Sequence, residues 1–342
     1  MTLLEPSHFG AAPTSGPLMD SFGRHHTYLR VSVTDRCNYR CSYCMPERAM
    51  KWLPRTQLLD FDEIERLISI FVALGIERVR ITGGEPTLRR DLPILIERLA
   101  ILPGLRELSM TTNGQNFAQY ARPLTDAGLK RVNISLDTLD AVQFNTLTRG
   151  GDLSQVLASV DAAIACGLLP LKINCVIVKG ENEDQIESMI DAFAAKGAPI
   201  HLRFIEYMPF DGKGHQHTAN ATVLQRIAQR HNLTRLPGDE GGGPARTWQA
   251  AGSALQVGFI SPMTEHFCEQ CNRLRLMADG HLRTCLSKEP LPSLRDLIRS
   301  GCSDDELEQE IRRRVWSKIA GHRAHLQSGA ETFEGTMTHI GG

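Results

Sequence analysis

The sequence predicts an α/β protein with a parallel sheet, followed by a C-terminal α+β extension. Strand and helix patterns alternate between residues 28 and 208, as they do when parallel strands are joined by right-handed helical crossovers. Polar residues gather where those strands end, which is the edge that carries the active site of barrel enzymes. After residue 208 the alternation gives way to a glycine-rich segment and hairpin patterns. Periodicity alone does not decide whether the sheet is open or curled.

Apolar periodicity and capping residues place the elements of the alternating part. Asp60 and Glu63 have the spacing of a capping box that opens the first helix. A polar loop is expected between Asp137 and Leu153. The predicted elements are strand Tyr28–Thr34, helix Asp62–Gly75, strand Glu77–Thr82, helix Asp91–Leu102, strand Leu105–Thr112, helix Phe117–Gly128, strand Lys130–Asp137, helix Leu153–Gly167, strand Leu171–Val178, helix Asp184–Gly197 and strand Ile200–Met208.

The extension combines helices, hairpins and glycine-rich segments. Hairpins are expected around residues 250–253 and at Asp279-Gly280. Ser303 and Glu306 form a second capping box, which opens a helix that ends near Lys318. Three segments are therefore predicted: a disordered tail over residues 1–23, the alternating domain over 24–208 and the extension over 209–342, which ends in a flexible Gly-Gly tail.

Composition excludes several classes of protein. The 342 residues carry a formal net charge of -1, which argues against a general binder of nucleic acid or of membrane surfaces. Neither a signal peptide nor a transmembrane segment is recognisable. Nine cysteines, an odd number in a long chain, favour a reducing compartment over disulfides. A cytoplasmic protein is expected.

The first cysteine motif is Cys37-x3-Cys41-x2-Cys44, directly after the first strand. Thiolates ligate iron–sulfur clusters, and a cubane has four irons. Three ligands leave one iron open to a substrate or cofactor. The alternatives are a zinc knuckle, which usually closes with four ligands, and free core cysteines. With the aromatic Tyr43 before the last cysteine, the motif resembles the signature of radical S-adenosylmethionine enzymes.

A glycine turn and neighbouring strand ends accompany this motif. Gly83-Gly84-Glu85-Pro86 follows the second strand, and its glycines allow close backbone approach to a ligand. Taken alone it is equally compatible with an ordinary turn. Beside the cysteines it resembles the loop that binds the methionine amino group in the radical S-adenosylmethionine family. Asn113 and Ser135 fit the same pocket, and Met208 matches the family position near the adenine.

The second cysteine motif is Cys268-x2-Cys271-x13-Cys285, again three thiolates without an evident fourth. A structural zinc site closed by His266 or His281 is the alternative. Arg273 and Arg275 alternate along a strand and share one face, and paired guanidiniums suit a polyphosphate. A two-residue hairpin turn would direct them away from Cys285, whereas a three-residue turn would put them on its face.

The ordered set of motifs resembles the GTP 3′,8-cyclase family of molybdenum cofactor biosynthesis from about residue 24 onward. The motifs are residues 29–37, 80–86, 110–114, 133–137 and 203–208, the second cysteine set with Arg273-Leu274-Arg275, and the terminal Gly341-Gly342. The resemblance implies a partial (β/α)6, TIM-like barrel. It also implies two [4Fe-4S] clusters, on Cys37, Cys41 and Cys44 and on Cys268, Cys271 and Cys285, with the second beside the substrate's base.

The same resemblance assigns roles to individual residues. Those expected to hold S-adenosylmethionine are Tyr43, Gly84, Asn113, Ser135 and Met208. Those expected to hold GTP are Arg30, Arg80, Thr111, Lys172, Arg273, Leu274 and Arg275. Gly341 and Gly342 are expected to thread toward the first cluster and assist catalysis.

The implied reaction removes the ribose 3′ hydrogen of GTP and joins the sugar to guanine C8. A homodimer, a reductant such as flavodoxin and transfer of the product to cyclic pyranopterin monophosphate synthase are implied as well. Two other functions stay open: a radical S-adenosylmethionine peptide maturase with an auxiliary cluster, and a non-catalytic zinc-binding interaction protein.

Overall fold

The structure is a computed structural model that describes residues 10–45, 47–48, 50–209, 217–238, 243–287 and 291–321. The chain divides into two compact units. Unit 1 comprises Met1–Asn38, Ala49–Ser109 and Cys268–Gly342, and unit 2 comprises Tyr39–Arg48 and Met110–Phe267. The predicted boundary between residues 208 and 209 stays a prediction.

Strands and helices alternate along the first part of the chain, as predicted. The strands are β1 (Tyr28–Ser32), β2 (Arg78–Thr82), β3 (Glu107–Thr112), β4 (Arg131–Ser135), β5 (Leu171–Ile177), β6 (Ile200–Glu206), β7 (Leu233–Arg235), β8 (Arg246–Ala250), β9 (Gln256–Ile260), β10 (Arg273–Leu276), β11 (His281–Arg283) and β12 (Leu291–Ser293). The helices are α1 (Phe61–Ala73), α2 (Leu92–Ala100), α3 (Phe117–Asp126), α4 (Ala141–Thr148), α5 (Leu153–Ala165), α6 (Ile186–Ala195), α7 (Asn220–Ala228), α8 (Leu294–Arg299) and α9 (Asp304–Trp316).

Both predicted capping boxes are present. The Asp60 side chain accepts the Glu63 N–H at the start of α1, and the Glu63 carboxylate accepts the Asp60 N–H in return. Ser303 and Glu306 repeat the arrangement at α9. Each box satisfies backbone donors that the first helical turn leaves without partners.

In unit 1 the sheet order is β12-β11-β10-β1-β2. β1 lies between β2 and β10 and is parallel to both. The hairpin predicted at Asp279-Gly280 is confirmed, because β10 and β11 are antiparallel neighbours. The C-terminal strands of this unit therefore continue its own sheet instead of forming a separate one.

In unit 2 the order is β4-β5-β6-β9-β8-β7. β4, β5, β6 and β9 pair in parallel, and β8 and β7 follow as antiparallel strands. Alternate residues of β5 and β6 are buried, so one face of each packs in the core while the other carries polar side chains. The parallel α/β sheet is confirmed.

The expected polar loop after β4 is wrong in part, because helix α4 occupies residues Ala141–Thr148. Asp140 caps it by accepting the Gln143 N–H at 2.7 Å, and Phe144 and Leu147 bury its inner face. Two apolar anchors in eight residues gave too weak a periodicity to predict a helix. β7, β12 and α8 were also not predicted. Within the described ranges, no helix has the length and apolar character needed to cross a membrane.

Candidate active site

Unit 1 carries a row of arginines across four adjacent strands. Arg80 on β2 is in register with Arg30 on β1, Arg30 with Arg275 on β10, and Arg275 with Arg283 on β11. Residues in register share one face of a sheet, so the four side chains lie side by side. We call Arg80, Arg30, Arg275 and Arg283 the arginine row. Arg283 was not predicted, because its place depends on strand pairing and not on a motif.

Positive charge accumulates along the row. Burial, and then the nearby Arg275 guanidinium, lower the pKa of Arg30 to about 9. Burial and the neighbouring Arg273 lower the pKa of Arg275 to about 10. Among the described residues, the Nε atoms of Arg80 and Arg275 have no hydrogen-bond partner. Buried cationic donors in this state suit a multivalent anion, which would supply both charge and acceptors.

The β10–β11 turn resolves the two alternatives for Arg275. Met277 donates its N–H to the His281 carbonyl at 2.8 Å, and Arg275 is in register with Arg283. This is the three-residue turn, which puts Arg275 on the face of Cys285. The Cys271 and Cys285 thiols accordingly oppose the lowering of the Arg275 pKa. The side chain of Leu274 is fully buried on the opposite face, so only its main chain is available to a ligand.

Cations surround the second cysteine set. Burial raises the pKa of the Cys271 thiol, but Lys318, Arg273 and Arg275 outweigh it and lower that pKa to about 6. The thiolate, the form that ligates iron or zinc, is therefore favoured. His281 Nδ1 lies 2.9 Å from Asp279 Oδ1. Within the described ranges no three His, Cys, Asp or Glu side chains are grouped to hold one metal ion; a four-iron cubane is a larger ligand.

The Gly-Gly-Glu-Pro turn is bonded to the segment just before Cys37. Gly84 donates its N–H to the Thr34 carbonyl at 2.8 Å, and Glu85 donates to the Arg36 carbonyl at 2.7 Å. A Cβ on Gly84 would lie 2.2 Å from the Arg36 oxygen, so glycine is required for this backbone contact. The N–H groups of Gly84 and Glu85 are therefore already hydrogen-bonded within the protein. A ligand ammonium group would instead be bound by carbonyl oxygens of the turn.

In unit 2, Tyr43 is tied to a buried carboxylate. Its hydroxyl donates to Asp137 Oδ2 at 2.6 Å, and the Val176 N–H donates to Asp137 Oδ1 at 2.8 Å. Asn182 donates to the Asp137 carbonyl at 2.8 Å. Burial raises the pKa of Asp137 to about 6, although both hydrogen bonds to its carboxylate oppose the rise. Cys41 and Cys44 belong to this unit and Cys37 to unit 1.

Polar residues of β4, β5 and β6 in unit 2 occupy paired positions on adjacent strands. Ser135 on β4 is in register with Asn174 on β5, and Asn174 with Arg203 on β6. The Arg203 guanidinium donates to Asn174 Oδ1 at 2.9 and 2.6 Å. Two residues earlier on the same two strands, Asn133 is in register with Lys172. Arg203 was predicted only as part of a motif, without a role.

Not every polar residue at a strand end is available to a ligand. The buried carboxylate of Glu206 accepts the N–H groups of Met263 and Thr264, each at 3.0 Å, and that of Asn220 at 3.1 Å. Glu206 therefore organises the loops after β6 and β9. Met208, two residues further, is half-buried.

The remaining predicted residues fall in different parts of the chain. Thr111 lies half-buried within β3, and Asn113 follows it and accepts the Gln115 N–H at 3.0 Å. Gly341 and Gly342 lie outside the described residues, as do residues 212–216 of the His-rich loop.

Two family models match this chain in succession. The Radical SAM superfamily model matches residues 31–193, and the Molybdenum Cofactor Synthesis C model matches residues 200–324. The chain is 43% identical to the mitochondrial GTP 3′,8-cyclase of Arabidopsis thaliana over 96% of this chain and 85% of the relative. It is 48% identical to GTP 3′,8-cyclase 1 of Pseudomonas aeruginosa over 82% of this chain and 86% of the relative.

Solved structures support the fold. The crystal structure of Streptococcus suis SuiB bound to S-adenosylmethionine matches 92% of this chain and 77% of that chain, with a TM-score of 0.57 and 17% identity. At this identity the likeness concerns the fold alone. The predicted α/β class with a C-terminal extension is confirmed.

Proposed function

Because the chain belongs to the GTP 3′,8-cyclase family of radical S-adenosylmethionine proteins, we propose that it converts GTP to 3′,8-cyclo-7,8-dihydro-GTP, the first step of molybdenum cofactor biosynthesis. The observation that carries the proposal is the arginine row next to the second cysteine set. Buried guanidiniums with pKa values held down to about 9 and 10 are matched to a ligand of high negative charge. A triphosphate has that charge.

Each cysteine set would hold one [4Fe-4S] cluster, the first on Cys37, Cys41 and Cys44 and the second on Cys268, Cys271 and Cys285. The donor chemistry fits: both sets consist of thiols, and the cations around Cys271 favour its thiolate. When bound together with S-adenosylmethionine, the first cluster would supply radical chemistry for removing hydrogen from the substrate.

The residues of this chain would bind and orient GTP and S-adenosylmethionine. Arg30, Arg80, Arg273 and Arg275 would neutralise the triphosphate, while Thr111, Lys172 and the Leu274 main chain hold the rest of GTP. Tyr43, Gly84, Asn113, Ser135 and Met208 would hold S-adenosylmethionine. Fixed positions matter because an exposed radical reacts with whatever lies nearest. Asp137 contributes by anchoring Tyr43, and the Gly-Gly-Glu-Pro turn by bonding to the residue before Cys37.

Four further assignments rest on the resemblance. They are a homodimer, a flavodoxin-like reductant, delivery of product to cyclic pyranopterin monophosphate synthase, and assistance from Gly341 and Gly342. Light scattering of the purified protein tests the dimer. A chain lacking the two glycines that kept full activity would exclude their role.

The activity is tested by anaerobic incubation of the reconstituted protein with GTP, S-adenosylmethionine and dithionite. We expect 5′-deoxyadenosine and a cyclised nucleotide to form together, and neither to form in the Cys37→Ala variant. Reconstituted protein that made no cyclised nucleotide would refute the assignment. Metal analysis distinguishes the cyclase from the alternative of a non-catalytic zinc-binding protein, since the latter would contain zinc and no iron.

A further inference from the structure

Lys318 is a buried lysine just beyond α9, directed at the second cysteine set. Its side chain is 1% exposed. Its ammonium lies 2.9 Å from the Arg273 carbonyl, 3.4 Å from the Cys271 carbonyl and 3.6 Å from Cys271 Sγ. All three acceptors belong to the segment that carries the second cysteine motif.

The residues around Lys318 pack against the same turn. Arg24 donates to the Cys268 carbonyl at 2.8 Å and to the carbonyls of Ile319 and Ala320 at 2.7 Å. A Cβ on Gly321 would lie 2.9 Å from Cys268 Sγ, so the backbone contacts that cysteine closely. Residues 318–321, which we call the strap, are thereby held on the Cys268–Cys271 turn.

The charge of Lys318 needs a counter-charge. Taking an ammonium out of water is costly unless an anion accompanies it. In the part of the chain that the structure describes, Lys318 forms no ion pair with a carboxylate. The Asp20 charge acts on it at longer range, but that carboxylate is paired with Arg24 and His26. Two of the three acceptors of Lys318 are neutral carbonyls. The third is the sulfur of Cys271, which carries a negative charge when it ligates a metal.

We propose that Lys318 is a positioning residue for the second cluster, donating an N–H···S hydrogen bond to the Cys271 ligand. This inference rests on the proposed second cluster. A cation and a hydrogen bond at a cluster thiolate favour the reduced, more negative state, and such contacts are known to set cluster potentials. Lys318 therefore raises the potential of the cluster that would hold the substrate's base.

The test uses the full chain with Cys37, Cys41 and Cys44 each changed to Ala, so that only the second cluster is present. Iron content and the reduction potential, followed by electron paramagnetic resonance, are measured with Lys318, Lys318→Met and Lys318→Arg. We expect Lys318→Met to shift the oxidised-to-reduced ratio about tenfold toward oxidised, equal to about 59 mV for one electron. Lys318→Arg keeps the charge and should retain most of the potential.

Arg314→Met is the matched control. Arg314 is a buried cation within α9, 3% exposed, but it pairs with Glu310 and not with a cysteine. It should leave the potential unchanged. Loss of iron in Lys318→Met but not in Lys318→Arg also supports the proposal. Equal potentials in all three Lys318 forms, or equal shifts in the Met and Arg variants, would overturn it while leaving the second cluster intact. No iron in any form would overturn the second cluster itself.

Discussion

The arginine row of unit 1 and the Tyr43–Asp137 pair of unit 2 both bury charge, but they balance it differently. The Asp137 carboxylate receives the Tyr43 hydroxyl and the Val176 N–H. The Nε atoms of Arg80 and Arg275 receive no partner from the described residues. The Tyr43–Asp137 pair, whose polar groups are satisfied within the protein, is organised before a ligand arrives. The like charges of the arginine row are instead stabilised when an anionic ligand binds.

The largest effect is expected from the charge of Asp137. Its pKa rises from 3.8 unfolded to about 6 folded, so the unfolded chain releases this proton first. The free energy of unfolding should therefore fall as pH rises from 3 to 7, by about 3 kcal/mol. Asp137→Asn should lose this part of the pH dependence. Urea unfolding of the cluster-free protein at both pH values measures it, and identical slopes in both proteins would contradict the assignment.

Arg275→Leu should weaken GTP binding about 100-fold, the order expected for losing charge-assisted hydrogen bonds. The same variant should unfold at higher urea concentration without ligand, because a poorly paired buried cation is removed. Equilibrium dialysis and urea unfolding give the two values. Arg275→Lys is the control that keeps charge but not the two-pronged geometry. Weaker binding together with lower stability would indicate a structural role instead.

Raising the pH should weaken triphosphate binding by the arginine row. Because the pKa of Arg30 is lowered to about 9, the free protein loses this cation as pH rises through 9, and triphosphate binding should weaken about tenfold between pH 8 and pH 10. Guanosine, which lacks phosphate, controls for ionisation of the base. Equal pH dependence for GTP and guanosine would show that Arg30 stays charged.

The smallest effect is expected from Tyr43→Phe, which removes one hydrogen bond to Asp137. Stability should fall by about 1 kcal/mol and S-adenosylmethionine should bind more weakly. GTP binding should be unchanged if the two regions act separately. Calorimetric titration of each ligand into the reconstituted variant compares them, and a matching loss for GTP would show that the regions are coupled.

Structural features that depend on residues close in the sequence could be predicted, whereas those that depend on pairing between distant segments could not. The capping residues Asp60 and Ser303 act within one helical turn, so the sequence carries their full signal. The arginine row depends on β10 pairing with β1, an association between distant parts of the chain that no periodicity reveals. The turn before β11 illustrates the same limit, because two or three turn residues were both compatible with Asp279-Gly280.

The roles of glycine and of buried charge were also only partly predictable. Gly84 was attributed to ligand approach, while the structure shows close contact with the Arg36 carbonyl. Lys318 stood at the predicted end of a helix, where lysine is common, and only its burial distinguishes it.

The parallel pairing of β1 with β10 has a consequence for synthesis of the chain. One edge of β1 is completed by a strand that leaves the ribosome only after most of the chain has been made. Until then the edge presents unpaired N–H and C=O groups next to apolar side chains, the surface on which strands of other molecules add. Long-range closure of this kind slows folding. The edge of β1 is therefore open to pairing with other molecules during synthesis and is covered by β10 in the folded protein.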